Sequence, residues 1–278
     1  MRSKERNAIL TQTFMNEQAQ LQNLTKFLLQ NSKYNHEYQV NNLKGMVRSP
    51  NKHGDNFRII ILECLYTSSQ PNLTLIAKSM RSLEPVFVEL NKIEDLDQQK
   101  FYKILMKYFG VDKMDEETLF SALVTLPGMG HKITALTIRN LNLAVNEQLL
   151  KINNWEFDES KLKIAVDVVI TSALNQILGI YNDDIKFVAS KDFYLINDLL
   201  SIKGLNPKRP ILFEDLWFWG FYNQTSDAKK VRSFNDFNPD KLYAEKHNFA
   251  RDFKEIEKLS QEFRNIINHK YHGPQIED

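Results

Sequence analysis

The 278-residue chain reads as an all-α protein made of two helical lobes. Three observations carry that expectation. Apolar residues recur at helical spacing through most of the length, and alternating strand patterns are rare. Nine glycines and eight prolines are few. The last long segment, about 241–270, sets Leu242, Phe249, Phe253, Ile256, Leu259, Phe263 and Ile266 on one stripe and charges on the other face.

The elements follow in order. Residues 5–31 place Ile9, Leu10, Phe14, Leu21, Leu24, Phe27 and Leu28 at mostly helical spacing. Residues 41–56, rich in Asn, Gly and Pro, predict a loop. Phe57–Tyr66 is an apolar run that ends in Thr67-Ser68-Ser69-Gln70-Pro71. Helices are predicted at 72–82, 84–92, 97–109 and 115–125, then at 131–148 after a hairpin. Residues 149–162 are polar and irregular and include Trp155. A helix over Ala165–Leu178 stops at Gly179. Residues 203–210 form a basic turn, and 211–222 an aromatic helix.

Composition narrows the function classes. Hydrophobic residues are 42% and charged residues 26%, as in an ordinary soluble globular protein. The N-terminus lacks the apolar run of a signal peptide, and no segment approaches about 18 apolar residues. An intracellular, cytoplasmic protein with no membrane contact is expected. Net charge is +1, so a nucleic-acid partner requires basic residues gathered on one face. The single Cys64 excludes an internal disulfide and an all-cysteine metal or iron–sulfur cluster. Six histidines are scattered without metal spacing, His269 and His272 near the C-terminus being the nearest approach to it. No metal is expected.

The most informative stretch is Leu126-Pro127-Gly128-Met129-Gly130-His131-Lys132. Pro127 ends one helix, because it lacks an N–H and disfavours helical geometry at Leu126. Gly128 and Gly130 allow tight backbone angles and bring bare amides close to a ligand. The next helix begins near His131, so its unpaired N–H groups and positive dipole end face the same spot, a geometry suited to a backbone phosphate. An ordinary Pro-Gly turn between packed helices has the same sequence. Lys132 lies in the first turn, where a cation is disfavoured and a neutral, nucleophilic amine gains. It is otherwise a surface lysine. Asp167 sits in the apolar Lys163-Ile164-Ala165-Val166-Asp167-Val168-Val169-Ile170, where a carboxylate needs a partner. It reads as a helix N-cap, which still leaves one oxygen for chemistry.

Leu-Pro-Gly-x-Gly-x-Lys followed by Val-Asp resembles the signature of the helix-hairpin-helix DNA glycosylases, the endonuclease III and 8-oxoguanine glycosylase superfamily. By that resemblance Lys132 attacks the sugar C1′, and Asp167 activates the amine and stabilises cationic sugar character. Leu65-Tyr66-Thr67-Ser68-Ser69-Gln70 is similar to the family's Leu-Ser-x-Gln-Thr segment, which implies that Gln70 fills the gap left by a flipped base. The likeness covers roughly residues 57–222. Val168-Val169 replaces the Thr-His of many members, Lys132 and Asp167 stand 35 positions apart, and the cluster cysteines of endonuclease III are absent. The long spacer, the missing cluster and Trp217-Phe218-Trp219-Gly220 look most like the archaeal-type 8-oxoguanine glycosylase/lyase branch.

The resemblance implies a middle lobe over 57–146 that ends in the hairpin, and a second lobe from 1–56 and 147–278 that carries Asp167. Lys132 and Asp167 are then expected to meet at an interlobe cleft. The implied activity is that of a base-excision-repair glycosylase with AP lyase activity. It needs no cofactor and acts as a monomer on duplex DNA that contains a damaged base. 8-Oxoguanine is the base implied, and other modified bases remain open. The rival reading is a non-catalytic module that binds DNA structure. It keeps the glycines and does not need Lys132 or Asp167. For DNA binding the candidates are Gly128, Met129, Gly130, His131 and Gln70. Basic loop residues join them: Lys44, Arg48 and Lys52; Lys203, Lys208 and Arg209; Lys229, Lys230 and Arg232. For a base pocket they are Asp215, Trp217 and Trp219. The two tryptophans face different sides of a helix, so at most one stacks on a base while the other packs in the core.

Overall fold

The computed structural model describes residues 3–67, 71–201, 205, 210–226, 232–234, 236–244 and 253–268. The fold is all-α. Among the described residues the helices are α1 (Ser3–Asn16), α2 (Gln18–Met46), α3 (His53–Tyr66), α4 (Leu73–Asn91), α5 (Gln98–Phe109) and α6 (Glu116–Leu123). They continue with α7 (His131–Asn146), α8 (Val168–Ile177), α9 (Phe193–Leu200), α10 (Asp215–Asn223), α11 (Pro239–Ala244) and α12 (Phe253–Ile267). A two-residue antiparallel ladder pairs Thr225 with Ser233 and Ser226 with Arg232.

The chain divides into two compact units, Met1–His36 with Val166–Asp278, and Glu37–Ala165. The boundaries expected at 57 and 146 both fall inside the second unit. Several helices start where a short acid or amide side chain accepts an orphan N–H. Asn72 accepts from Leu75, Asp97 from Lys100, Asp115 from Thr118 and Asp167 from Ile170, at 2.7–3.1 Å. Helix α5 stops at Gly110, whose left-handed φ of 67° lets its amide reach the Met106 carbonyl at 2.8 Å.

In the second unit α3 packs on α4 and α7. Phe57 sets its ring edge-on to Phe87 and Phe101 at 6.0 and 5.4 Å. Gly54 is required there, because a Cβ on it would lie 1.9 Å from the Phe87 carbonyl oxygen. Asn91 at the end of α4 caps the start of α3, its Oδ1 accepting from the Gly54 and Asp55 amides.

Two expectations change here. Residues 41–56 are not one loop. Helix α2 runs on to Met46 with Val40 and Leu43 buried, and α3 begins at His53, which leaves 47–52 as the connection. The separate helices expected at 72–82 and 84–92 are one helix, α4, that passes through Pro85. The buried stripe of Ile76, Leu83, Val86, Phe87 and Leu90 runs across the proline, and burial of that stripe outweighs the lost ladder bond.

In the first unit α10 packs on α8 and α12. Trp219 is fully buried among Phe27, Tyr34, Phe218 and Phe263, with ring centroids 5.1–6.4 Å apart. Gly220 allows the approach of α8, since a Cβ on it would stand 2.6 Å from Val169 Cγ1. Arg6 anchors α1 through a two-pronged ion pair to buried Asp192, at 2.8 and 2.6 Å, and donates to the Lys186 carbonyl.

His53 is buried, and neither ring nitrogen makes a hydrogen bond of normal geometry. Burial holds the imidazole below its ordinary value of 6.5, against the opposing pull of the Ile93, Leu90 and Lys151 main chain. Below about pH 6.5 the unfolded chain therefore takes up a proton that the folded chain refuses, so stability falls as pH drops through that value. Urea midpoints measured between pH 7.5 and 5.5 should decline, and His53→Gln should flatten that decline. An unchanged slope in the variant would place the titration elsewhere.

Candidate nucleic-acid interface

The hairpin between α6 and α7 lies wholly in the second unit. Leu126-Pro127-Gly128-Met129 is a type II turn: the Met129 amide donates to the Leu126 carbonyl at 3.0 Å, and Gly128 has φ +79°. Proline presets the second position of such a turn, and glycine supplies the left-handed third. The turn is tied down from both ends. Leu126 and Met129 bury their side chains, and buried Ser79 on α4 donates its hydroxyl to the Pro127 carbonyl at 2.5 Å. Gly128 packs against the same helix, where a Cβ would lie 3.3 Å from Leu75 Cβ.

Gly130 is different. Its φ of −70° and ψ of 170° suit any residue, and a Cβ on it would meet nothing within 4 Å. Among the described residues nothing requires a glycine at 130. It is the N-cap of α7 and offers no side-chain cap, and the Gly130, Lys132 and Ile133 amides donate to no acceptor among the described residues. The start of this 16-residue helix thus presents bare N–H groups and the positive dipole end beside an exposed, side-chain-free surface.

The individual candidates fall into place as follows. Met129 contributes no amide to this patch, because its N–H closes the turn and its side chain is buried. His131 is exposed and stacks on Phe120 at 6.2 Å between centroids, with planes 15° apart. The Lys163 ammonium stands 5.9 Å from the centroid of that same Phe120 ring. This arrangement joins positions 120, 131 and 163, and no local spacing in the sequence announces it. Lys132 is half-buried, and its amine has no ion-pair or hydrogen-bond partner among the described residues. Lys44, Arg48 and Lys52 are exposed in the same unit, Lys44 on the last turn of α2 rather than in a loop. Gln70, Lys203, Lys208, Arg209, Lys229, Lys230, His269 and His272 lie outside the described residues.

In the first unit Asp167 is the N-cap of α8, with Oδ1 accepting from the Ile170 amide at 2.9 Å. The carboxylate is half-buried, and the next residue, Val168, is 53% exposed. Asp215 is buried, and its Oδ1 accepts from Asn35 Nδ2 at 2.7 Å. The two candidate stacking tryptophans separate cleanly. Trp219 is core, whereas Trp217 is half-buried and lies parallel to Phe221, at 5.2 Å and 14°. Trp217 is therefore the less covered of the two rings. Cys64 is buried beside Asn140, and burial pushes its thiol up to about 11, which removes it as a nucleophile at neutral pH.

Two stability predictions follow from this geometry. Trp219→Ala should cost about 3–5 kcal/mol and Trp217→Ala less than half of that. Thermal melts check this, and equal losses would refute the division of roles. Gly128→Ala should cost about 1–3 kcal/mol through its positive φ and the contact with Leu75. Gly130→Ser, at a conventional backbone angle, should leave stability within a few tenths of a kcal/mol. A loss for Gly130→Ser as large as for Gly128→Ala would show that both glycines serve the fold.

Comparison with protein-family models, curated proteins and solved structures found no match.

Proposed function

We propose that the chain is a DNA glycosylase with AP lyase activity that acts on damaged duplex DNA. The observation that carries this reading is Gly130: a glycine with no conformational or packing need, placed where bare amides start a helix. A phosphate that must approach those amides supplies the need. Its oxygens accept from the N–H groups, and any side chain at 130 stands in the way. The exposed Lys44, Arg48 and Lys52 of the same unit extend the electrostatic attraction to the DNA backbone.

The chemistry then falls to Lys132, in the first turn of α7 among those amides. Its amine has no competing partner among the described residues. As the free base it attacks C1′ of the damaged nucleotide. The N–C1′ bond forms as the glycosidic bond breaks, and the base leaves with the bonding pair. Loss of a proton from nitrogen and opening of the sugar give a Schiff base. Removal of a C2′ proton then expels the 3′ phosphate by β-elimination. Asp167, whose Oδ1 caps α8, is the carboxylate this reading assigns to take up the amine proton. Trp217 supplies a flat apolar partner for the extruded base, with 8-oxoguanine as the substrate proposed.

Borohydride reduction in the presence of a lesion-containing duplex should trap a covalent protein–DNA adduct. Lys132→Gln should abolish the adduct and strand cleavage while DNA binding survives. Asp167→Asn should keep the cap bond and the fold but lower turnover by two or more orders of magnitude, the usual scale of general acid–base catalysis. Adduct formation that persists in Lys132→Gln would assign the nucleophile to another amine. Gly130→Ser should weaken binding of undamaged duplex several-fold without lowering the melting temperature. Unchanged binding would remove the phosphate site.

A further inference from the structure

The second unit carries another concave site, and its chemistry is opposite to that of the hairpin. Along the last turns of α7, from Asn142, about 17 Å along the helix axis from His131 at 1.5 Å per residue, an open groove of roughly 630 Å3 runs between α7 and the 155–161 segment. Its wall is the stacked pair Trp155 and Phe157, with centroids 5.5 Å apart and planes at 18°. Both rings are half-buried. Three carboxylates line it, Glu116, Glu156 and Asp158, against the single cation Lys161.

The charges do not cancel. Lys161 lies 3.8 Å from Glu116, whose other oxygen accepts from the Asp158 amide. Glu156 has no ion-pair partner among the described residues. The Ser160 hydroxyl and amide hold the Asp158 carboxyl below the usual carboxylate range, so it stays charged. The groove therefore repels phosphate and favours a cation.

A second observation points to a ligand. Asn142 is 5% exposed and lines the groove. Its Oδ1 accepts from Trp155 Nε1 at 2.9 Å. An indole N–H only donates, which fixes the oxygen of the amide on that side and leaves the NH2 arm as the other. That NH2 donates to nothing among the described residues. The NH2 of this largely buried side chain is reached from the groove, so it can donate to an acceptor that enters there.

We propose that this groove binds an arginine side chain presented by a basic segment of a partner protein. A guanidinium is flat, can lie along the half-buried Trp155–Phe157 wall, and carries enough N–H donors for the Glu156 and Asp158 carboxylates. The main-chain carbonyl of the same segment accepts from Asn142. An ammonium meets the charge but not the flat face, and a neutral purine meets the face but not the charge. This site does not depend on the DNA reading, since it lies at the other end of α7 and uses none of the hairpin residues.

The test uses the full chain and the probe peptide Ac-Gly-Arg-Gly-NH2, with its neutral citrulline counterpart and guanosine as comparisons. The readout is the three tryptophan indole N–H signals in a 1H–15N spectrum. The Trp155 signal is identified as the one moved by Phe157→Ala. The arginine peptide should shift that signal saturably and leave the other two unmoved. The citrulline peptide should bind roughly tenfold more weakly, the scale of a lost charge-assisted hydrogen bond. Glu156→Gln, a change at an exposed side chain, should weaken the arginine peptide by about two- to fivefold with an unaltered melting temperature. Equal binding of the arginine and citrulline peptides overturns the proposal. So does saturation by guanosine with no response to the arginine peptide.

Discussion

A left-handed glycine at position 128 turns the chain from α6 into α7, and the start of α7 presents its amides where it does because of that turn. The turn is over-determined. Pro127 restricts the second position, the Met129 amide closes the ring, and Ser79 on α4 holds the Pro127 carbonyl from outside. Leu126 and Met129 act as apolar anchors on either side of it. With every internal hydrogen bond of the turn used, the groups left over are the first amides of α7. They remain bare because Gly130 has no side chain to cap them. A fold selected for stability alone would place Ser, Thr or Asp at that position.

Asp167 shows the opposite economy. One carboxylate oxygen accepts the Ile170 amide and starts α8. The cap satisfies an orphan donor and orients the carboxylate. In the same unit the aromatic helix α10 divides its load by face. Trp219 fills the core with Phe27, Tyr34, Phe218 and Phe263 around it, while Trp217 lies only half-covered along Phe221.

The two ends of helix α7 differ in electrostatic character. Its N-terminus offers N–H groups and a positive dipole end, and its last turns border carboxylates and an aromatic wall. The chain's net charge of +1 does not reveal this arrangement, because it sums 36 basic and 35 acidic residues over the whole chain and counts no helix dipole. Local field rather than total charge decides which partner each end attracts.

The sequence by itself determined the helices and most of their limits. Helical periodicity, caps such as Asp97, Asp115 and Asp167, and stops such as Gly110 act through hydrogen bonds within a turn or two of chain, so the pattern is legible without knowing the fold. The hairpin was legible for the same reason, since Pro127 and Gly128 dictate a type II turn locally. Tertiary structure decided what depends on distant neighbours. Helix α4 survives Pro85 because its apolar stripe is buried along the whole length, and α2 continues past 41 because Val40 and Leu43 are covered. Gly54 and Gly220 are required by the backbone and side chains of other helices, not by their own turns, whereas Gly130 is required by neither. Spacing showed that Trp217 and Trp219 face different ways, but only packing could show which face is covered. The Trp155–Asn142 groove was not legible at all, because it is assembled from a helix end, a polar loop and Glu116, whose adjacency follows from burial rather than from local geometry.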